Sequence, residues 1–229
     1  MNRQRVLKII VDIAMTAALL LLMAFELVGR QAHEWSGIVM FVLFVIHHIL
    51  NRKWTGHLLR GKYPPIRILQ TLLAVLILIC MLSSMVSGIV LSEYVFEAFS
   101  IRGGWSWARI LHMLAAYWGF VLMSLHLGIH WNMMLGIAGK AVGKSSGKDA
   151  ARPKACGTWI ARLAGVLIAG YGIYAFGKRQ IGMYLLLESE FVFFNFEEPR
   201  VYFFIDYLAV MGLFIWIGHY AAKLLRRFS

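Results

Sequence analysis

The sequence predicts an all-α integral membrane protein, with a four-helix bundle and two further transmembrane helices, six spans in all. Three observations lead there. The chain of 229 residues is 60% hydrophobic and only 15% charged. Its apolar runs reach or exceed the roughly 20 residues a helix needs to cross a bilayer. Its Lys and Arg residues also collect in alternate connections, as the loops of a multi-pass protein do.

The first span is expected over 5–29. Its basic start and apolar run resemble a signal peptide, but the run continues to Val28 and "VGRQAHE" is a poor cleavage site, so it is read as a membrane helix. The second span covers 33–54, and "YPPI" at 63–66 ends any helix beyond it. A third, 66–92, is followed by the turn "RGGW" at 102–105 and a fourth span over 107–137. Small, polar and basic residues make 139–156 a cytoplasmic linker. It separates a four-span part, 1–138, from a two-span part, 157–229, whose helices are expected over 157–178 and 201–225. Between these two, residues 180–200 are too acidic to cross and too oily for a plain loop, so they are expected on the outer surface or against a partner.

Charge sets the orientation. A net charge of +12 could suggest nucleic acid, but in a membrane protein the distribution decides. Seventeen of the 23 basic residues fall before span one, in the second and fourth connections or after span six. Both termini are therefore expected in the cytoplasm, with membrane lipid as a partner and no nucleic acid. Trp35 and Trp107 at outer ends, and Trp54, Trp131 and Trp159 at inner ends, fit the interfacial aromatic belts. The two cysteines, Cys80 and Cys156, lie in different settings and make no disulfide framework; without a C-x-x-C-H motif, covalent haem attachment is not expected.

Histidines supply the chemistry. On an α-helix, 14 residues advance about 40° short of four full turns and rise roughly 21 Å, so residues at that spacing share a face. His33 and His47 have this spacing on span two, and His112 and His126 repeat it on span four. Those spans run in the same direction, so His33 is expected opposite His112 near the outer side and His47 opposite His126 near the cytoplasmic side. Two facing imidazole pairs at two depths are what two b-type haems require. Gly37 and Gly119 on the ligand faces leave room for a flat macrocycle. A lone intramembrane histidine often only bonds neighbouring helices, but a repeated matched spacing is poorly explained that way.

Other polar residues leave alternatives open. His130 lies one turn beyond His126 and competes with it as the inner ligand. With His48, Asn51, Arg52 and Asn132 it forms a polar cluster at the cytoplasmic end, either a quinone pocket or a wet helix end. Arg102 and Arg109 lie near the outer histidines, to pair with haem propionates or to sit at the interface. His57 and His219 are expected to be structural. Asp12, Glu26 and Asp206 are acids at membrane depth or its boundary, able to carry protons.

The stretches "HEWSG", "HHILNRKW", "LHMLAAYWGFVLMSLHLGIHW" and "FEEPRVYFFIDYLAVMGLFIWIGHY" resemble the flavinylation-associated cytochrome family. The resemblance covers most of the chain. It implies a prokaryotic membrane cytochrome b with His33, His47, His112 and His126 as ligands of two haems and His130 as a regular companion. It also implies electron transfer between the quinone pool and a partner bearing covalent FMN outside the membrane. No flavin-binding domain is fused here, so that partner is expected to be a separate chain.

Two rivals remain. The membrane part of a ferric or NADPH-driven reductase uses similar spacings but calls for a Gly-rich nucleotide fingerprint after span six, where none stands. A metal-ion transporter calls for carboxylates beside the histidines at mid-membrane, whereas the ligand faces offer mainly glycine and apolar groups.

Overall fold

The computed structural model of the chain describes residues 3–58, 60–99, 103–141 and 155–228. Every strand-length segment among them is helical or irregular, and 82% of the structure is helix. Six helices are long and apolar enough to cross a membrane: α1 (Arg3–Met23), α2 (Phe25–Leu50), α4 (Pro65–Leu91), α5 (Trp105–Ile129), α7 (Ala155–Lys178) and α9 (Arg200–Leu225). Between them come three short helices, α3 (Arg52–Gly56), α6 (Trp131–Ala141) and α8 (Ile181–Leu185). The protein is thus a multi-pass membrane protein. Exposed Leu, Ile, Val and Trp side chains along α2, α4 and α7 form the apolar surface that lipid covers.

Two junctions bear on the sequence expectation: the first turn falls where span one was expected to end, and the fourth span is divided. Span one and span two turn into each other at Gly29, which lies within α2 and has φ 78° and ψ 165°. Glycine adopts that positive φ without the steric cost another residue meets. Lys8 donates to Asn51 Oδ1 at 2.9 Å and Asp12 meets His47 at 2.8 Å, pairings that centre an antiparallel hairpin on Gly29. The expected fourth span, 107–137, is divided: α5 ends at Ile129, His130 is a turn residue, and α6 begins at Trp131. Arg226 Nη2 lies 3.4 Å from the Ile129 carbonyl, one of the acceptors that a helix end leaves without an internal partner. Residues 142–154, the heart of the expected linker, lie outside the described residues, as does Arg102.

The chain forms two compact units, each drawn from several helices. The first comprises Met1–Lys62, Leu78–Phe120 and Gly182–Phe204. Within it, the Glu34 carboxylate accepts from Ser92 Oγ at 2.7 Å and from the backbone N–H groups of Glu93, Tyr94 and Val95 at 2.9 to 3.0 Å. One side chain thereby fastens α2 to the loop after α4 and satisfies three backbone donors of that loop. Arg30 forms an ion pair with Glu93 beside it. The end of α8 is held on the middle of α5: Trp118 Nε1 donates to the Leu185 carbonyl at 3.1 Å, and the Tyr117 and Tyr184 rings lie 4.7 Å apart.

The second unit comprises Tyr63–Ile77, Val121–Ile181 and Ile205–Ser229. Its helices approach at glycines. A Cβ on Gly128 of α5 would strike the backbone of Ile215 on α9, and one on Gly218 would strike the Leu125 carbonyl. Gly172 of α7 lies equally close to Ala209, and Gly212 of α9 to Ile168. Small residues let membrane helices exchange dispersion contacts at short range, which replaces the hydrophobic drive that lipid removes. The same unit buries Asp206, which is 0% exposed. Its carboxylate accepts from Tyr171 Oη at 2.6 Å, Lys178 Nζ at 2.9 Å and Arg179 Nε at 2.8 Å. Read from the sequence as an acid able to carry protons, Asp206 is here the centre of a four-residue lock between the end of α7 and α9.

Two predictions concern stability. Gly128→Ala or Gly218→Ala should each destabilise the detergent-solubilised protein by roughly 1–3 kcal/mol, because a methyl group there meets fixed backbone. A thermal midpoint equal to the parent's would show that the helices part freely. Asp206→Ala, which leaves two cations facing each other at the end of α7, should cost about 3 kcal/mol or more. Unfolding of that variant at the parent's denaturant concentration would count against the lock.

Candidate functional site

The first unit brings His33 and His112 together. The α1–α2 turn at Gly29 sets His33 in the opening turns of α2, and His112 stands in the first half of α5. Their ring centroids are 5.9 Å apart with planes at 69°, an edge-on arrangement and not a stack. Nδ1 of His112 lies 3.1 Å from the Ser84 carbonyl and 3.1 Å from Ser87 Oγ. A carbonyl only accepts, and the Ser87 hydroxyl gives its proton to the Ser83 carbonyl at 2.6 Å. The proton of His112 is therefore on Nδ1, and Nε2 keeps a free lone pair. Such a bond fixes both tautomer and ring direction, as it does for metal-binding histidines generally. Gly88 lets the ring lie against α4, since a Cβ there would touch His112 Cε1 at 3.5 Å.

His33 is less fully satisfied. Its Nδ1 is buried and meets no hydrogen-bond partner among the described residues, and Phe25 stands edge-on to the ring at 5.1 Å. A buried imidazole nitrogen without a partner costs stability unless something else uses the ring. Two imidazoles bound to opposite faces of one iron, each nitrogen about 2 Å from the metal, hold their ring centres roughly 6 Å apart. The observed 5.9 Å fits a haem iron between His33 and His112. Gly37, one turn along α2, has no atom within 4 Å of the place of a Cβ, so that face is open as expected. Gly119 is different: a Cβ there would meet Cys80 Cβ at 3.6 Å, so it serves the packing of α5 on α4 and clears no space for a macrocycle.

His47 stands at the other end of α2. Its Nδ1 is 2.8 Å from Asp12 Oδ1 on α1, and Asn51 Nδ2 lies 3.3 Å from its Nε2. The same Asn51 amide makes a shorter bond, 2.9 Å, to the His47 carbonyl, while Asn51 Oδ1 accepts from Lys8. The carboxylate places the proton on Nδ1, so Nε2 carries the lone pair that a metal would take in place of the long Asn51 contact.

Of the polar residues expected at the cytoplasmic end, those of the first unit part: His48 and Arg52 lie on one side of α2 and Asn51 on another. His48 and Arg52 line a shallow open concavity of α2 and α3 with Ile49, Thr55 and Gly56, and His48 Nδ1 bonds back to the Phe44 carbonyl at 2.9 Å. Asn51 leaves that group for α1, because one turn of helix puts it on the His47 face and not on the His48 face. In the second unit, His126 and His130 have ring centroids 4.9 Å apart, with His130 in the turn that ends α5 and Asn132 exposed on α6. Arg109 stacks its guanidinium over the Phe191 ring at 5.7 Å, so it supports the outer segment.

Three groups around the histidines escaped the sequence reading: Glu34, Ser84 and Ser87. The signal for the serines was present in "SSMVSG", a polar patch one turn long within an apolar span. Among the described residues no three His, Cys, Asp or Glu side chains group closely enough to hold a bare metal ion. A bare ion needs three or more protein ligands, whereas haem iron, with four nitrogens from its macrocycle, needs two.

Set against protein-family models, curated proteins and solved structures, the chain matches none of them.

Proposed function

We propose that this membrane protein is a dihaem b cytochrome, an electron-transfer subunit working between the quinone pool and a separate redox partner, a flavoprotein bearing covalent FMN or another carrier, on the outer side. The observation that carries the reading is the His33–His112 pair, with ring centres 5.9 Å apart and the Nδ1 proton of His112 held by the Ser84 carbonyl. Haem would supply reversible one-electron chemistry there. His33 and His112 would hold one group. The sequence spacing assigns the other to His47 with His126 or His130.

The work of this chain's own residues follows from that assignment. Ser84 and Ser87 orient His112, and Asp12 orients His47. Glu34 fixes the loop that closes the outer end, and surrounding apolar helices keep water from the imidazoles. His48 and Arg52, exposed in their concavity, are the groups we assign to quinone and proton exchange at the cytoplasmic end. Cytoplasmic termini complete the reading, on the strength of the basic residues that gather in alternate connections.

Metal-ion transport is the weaker reading, since the described residues offer pairs of donors and no three-donor cluster.

Two experiments test the proposal. A pyridine haemochrome assay on purified protein should give about two haems b per chain, and His33→Ala or His112→Ala about one. A colourless, fully folded preparation sinks the proposal. The exposed Glu188, Glu190 and Glu197 share the outer segment with exposed Phe191, Phe193 and Phe196. Reversing the three charges should slow electron exchange with a cationic carrier several-fold at low salt, fading at high salt, with the haem spectrum unchanged. Equal rates at low salt would remove the segment from partner docking.

A further inference from the structure

The histidines of the first unit differ in what holds them. His112 gives its Nδ1 proton to uncharged acceptors, the Ser84 carbonyl and the Ser87 hydroxyl, both at 3.1 Å. His47 gives its proton to a carboxylate, Asp12 Oδ1, at the shorter distance of 2.8 Å. A charge-assisted bond of this kind is about twice as strong as a neutral one. It also draws the ring toward imidazolate character, which makes the opposite nitrogen a stronger donor.

The pair is built into the hairpin. Asp12 and His47 face each other because α1 and α2 turn at Gly29, and one turn away on each helix Lys8 and Asn51 repeat the contact at 2.9 Å. Asn51 in turn holds the His47 carbonyl at 2.9 Å. Asp12 is the first acid of the chain and stands in an otherwise apolar run, where an unpartnered carboxylate is costly.

We infer that Asp12 is a positioning residue for His47: it fixes the Nδ1–H tautomer and strengthens Nε2 as a donor, so that the haem held by His47 has the lower midpoint potential of the two. The inference rests on the dihaem reading and adds a ranking of the two sites. An electron-rich axial ligand stabilises ferric over ferrous iron, and hydrogen bonding to that ligand is one of the levers by which a protein sets potential.

The test is a redox titration of the purified holoprotein, followed in the α-band. Two separate one-electron waves are expected, and His112→Ala, which removes the His33–His112 site, should leave the lower wave. Asp12→Asn keeps an oxygen acceptor for Nδ1 but removes the charge. It should shift the lower wave upward by roughly tenfold in the reduction equilibrium, about 59 mV for one electron, with haem content and the other wave unchanged. Asp12→Glu should restore much of the parent value. Coincident waves in the parent, survival of the higher wave in His112→Ala, or an Asp12→Asn protein with both haems and unshifted waves would each overturn the inference. The parent and His112→Ala titrations decide it even if Asp12→Asn fails to assemble. Parent protein that binds no haem overturns instead the reading on which the inference rests.

Discussion

An imidazole at membrane depth finds no water to satisfy its two nitrogens, so the protein must supply a partner for each or leave one for a ligand. Much of the first unit follows from that constraint. The Nδ1 proton of His112 is taken by α4, and the Nδ1 proton of His47 by α1. Neither bond could form unless the helices were already packed in register, so the polar contacts fix the rotation of α1, α2, α4 and α5 about their axes more tightly than apolar contacts would. His33 meets the Leu22 backbone, while its buried Nδ1 has no hydrogen-bond partner among the described residues.

The same economy of polar groups governs the ends of the helices. Glu34 follows His33 directly and accepts four hydrogen bonds from the loop after α4. The residue beside the candidate ligand is thus committed to holding the loop that lies over it. In the second unit the equivalent task falls to Asp206, which gathers Tyr171, Lys178 and Arg179. An acid at membrane depth is easily taken for a proton carrier, yet one surrounded by two cations and a phenol is spent on structure. Asp12 belongs to another kind: its partner is an imidazole, so its charge acts on whatever the imidazole binds.

Helix packing in the two units uses different means. In the second unit glycines bring helices close, Gly128 and Gly218 setting α5 and α9 backbones together, Gly172 meeting the α9 backbone and Gly212 the Ile168 side chain of α7. The first unit has Gly119 against Cys80 and Gly88 against the His112 ring, at ordinary contact distances. Close backbone approach gives rigidity through dispersion alone, while the first unit sets the His33 and His112 rings edge-on at 5.9 Å.

How much of this was legible beforehand depends on range along the chain. Six apolar runs, their breaks at "YPPI" and "RGGW", and the 14-residue histidine spacing were all there to read, because hydrophobic length and helical period are local properties. Even the pairing of His33 with His112 could be expected, since co-oriented spans bring equal depths together. The partners of those histidines could not. Nothing in the residues near Asp12 says that it reaches His47 and not a proton path, or that Asn51 turns to Lys8 while His48 turns away. The end of α5 at Ile129 falls inside a run that reads as continuous helix, and Arg226, 97 positions away, lies at its last carbonyl. Sequence determined which segments are helices and which residues share a face. Tertiary structure decided which polar atoms meet, because a buried hydrogen bond is set by the rotation of two helices against each other, a quantity that no single stretch of chain contains.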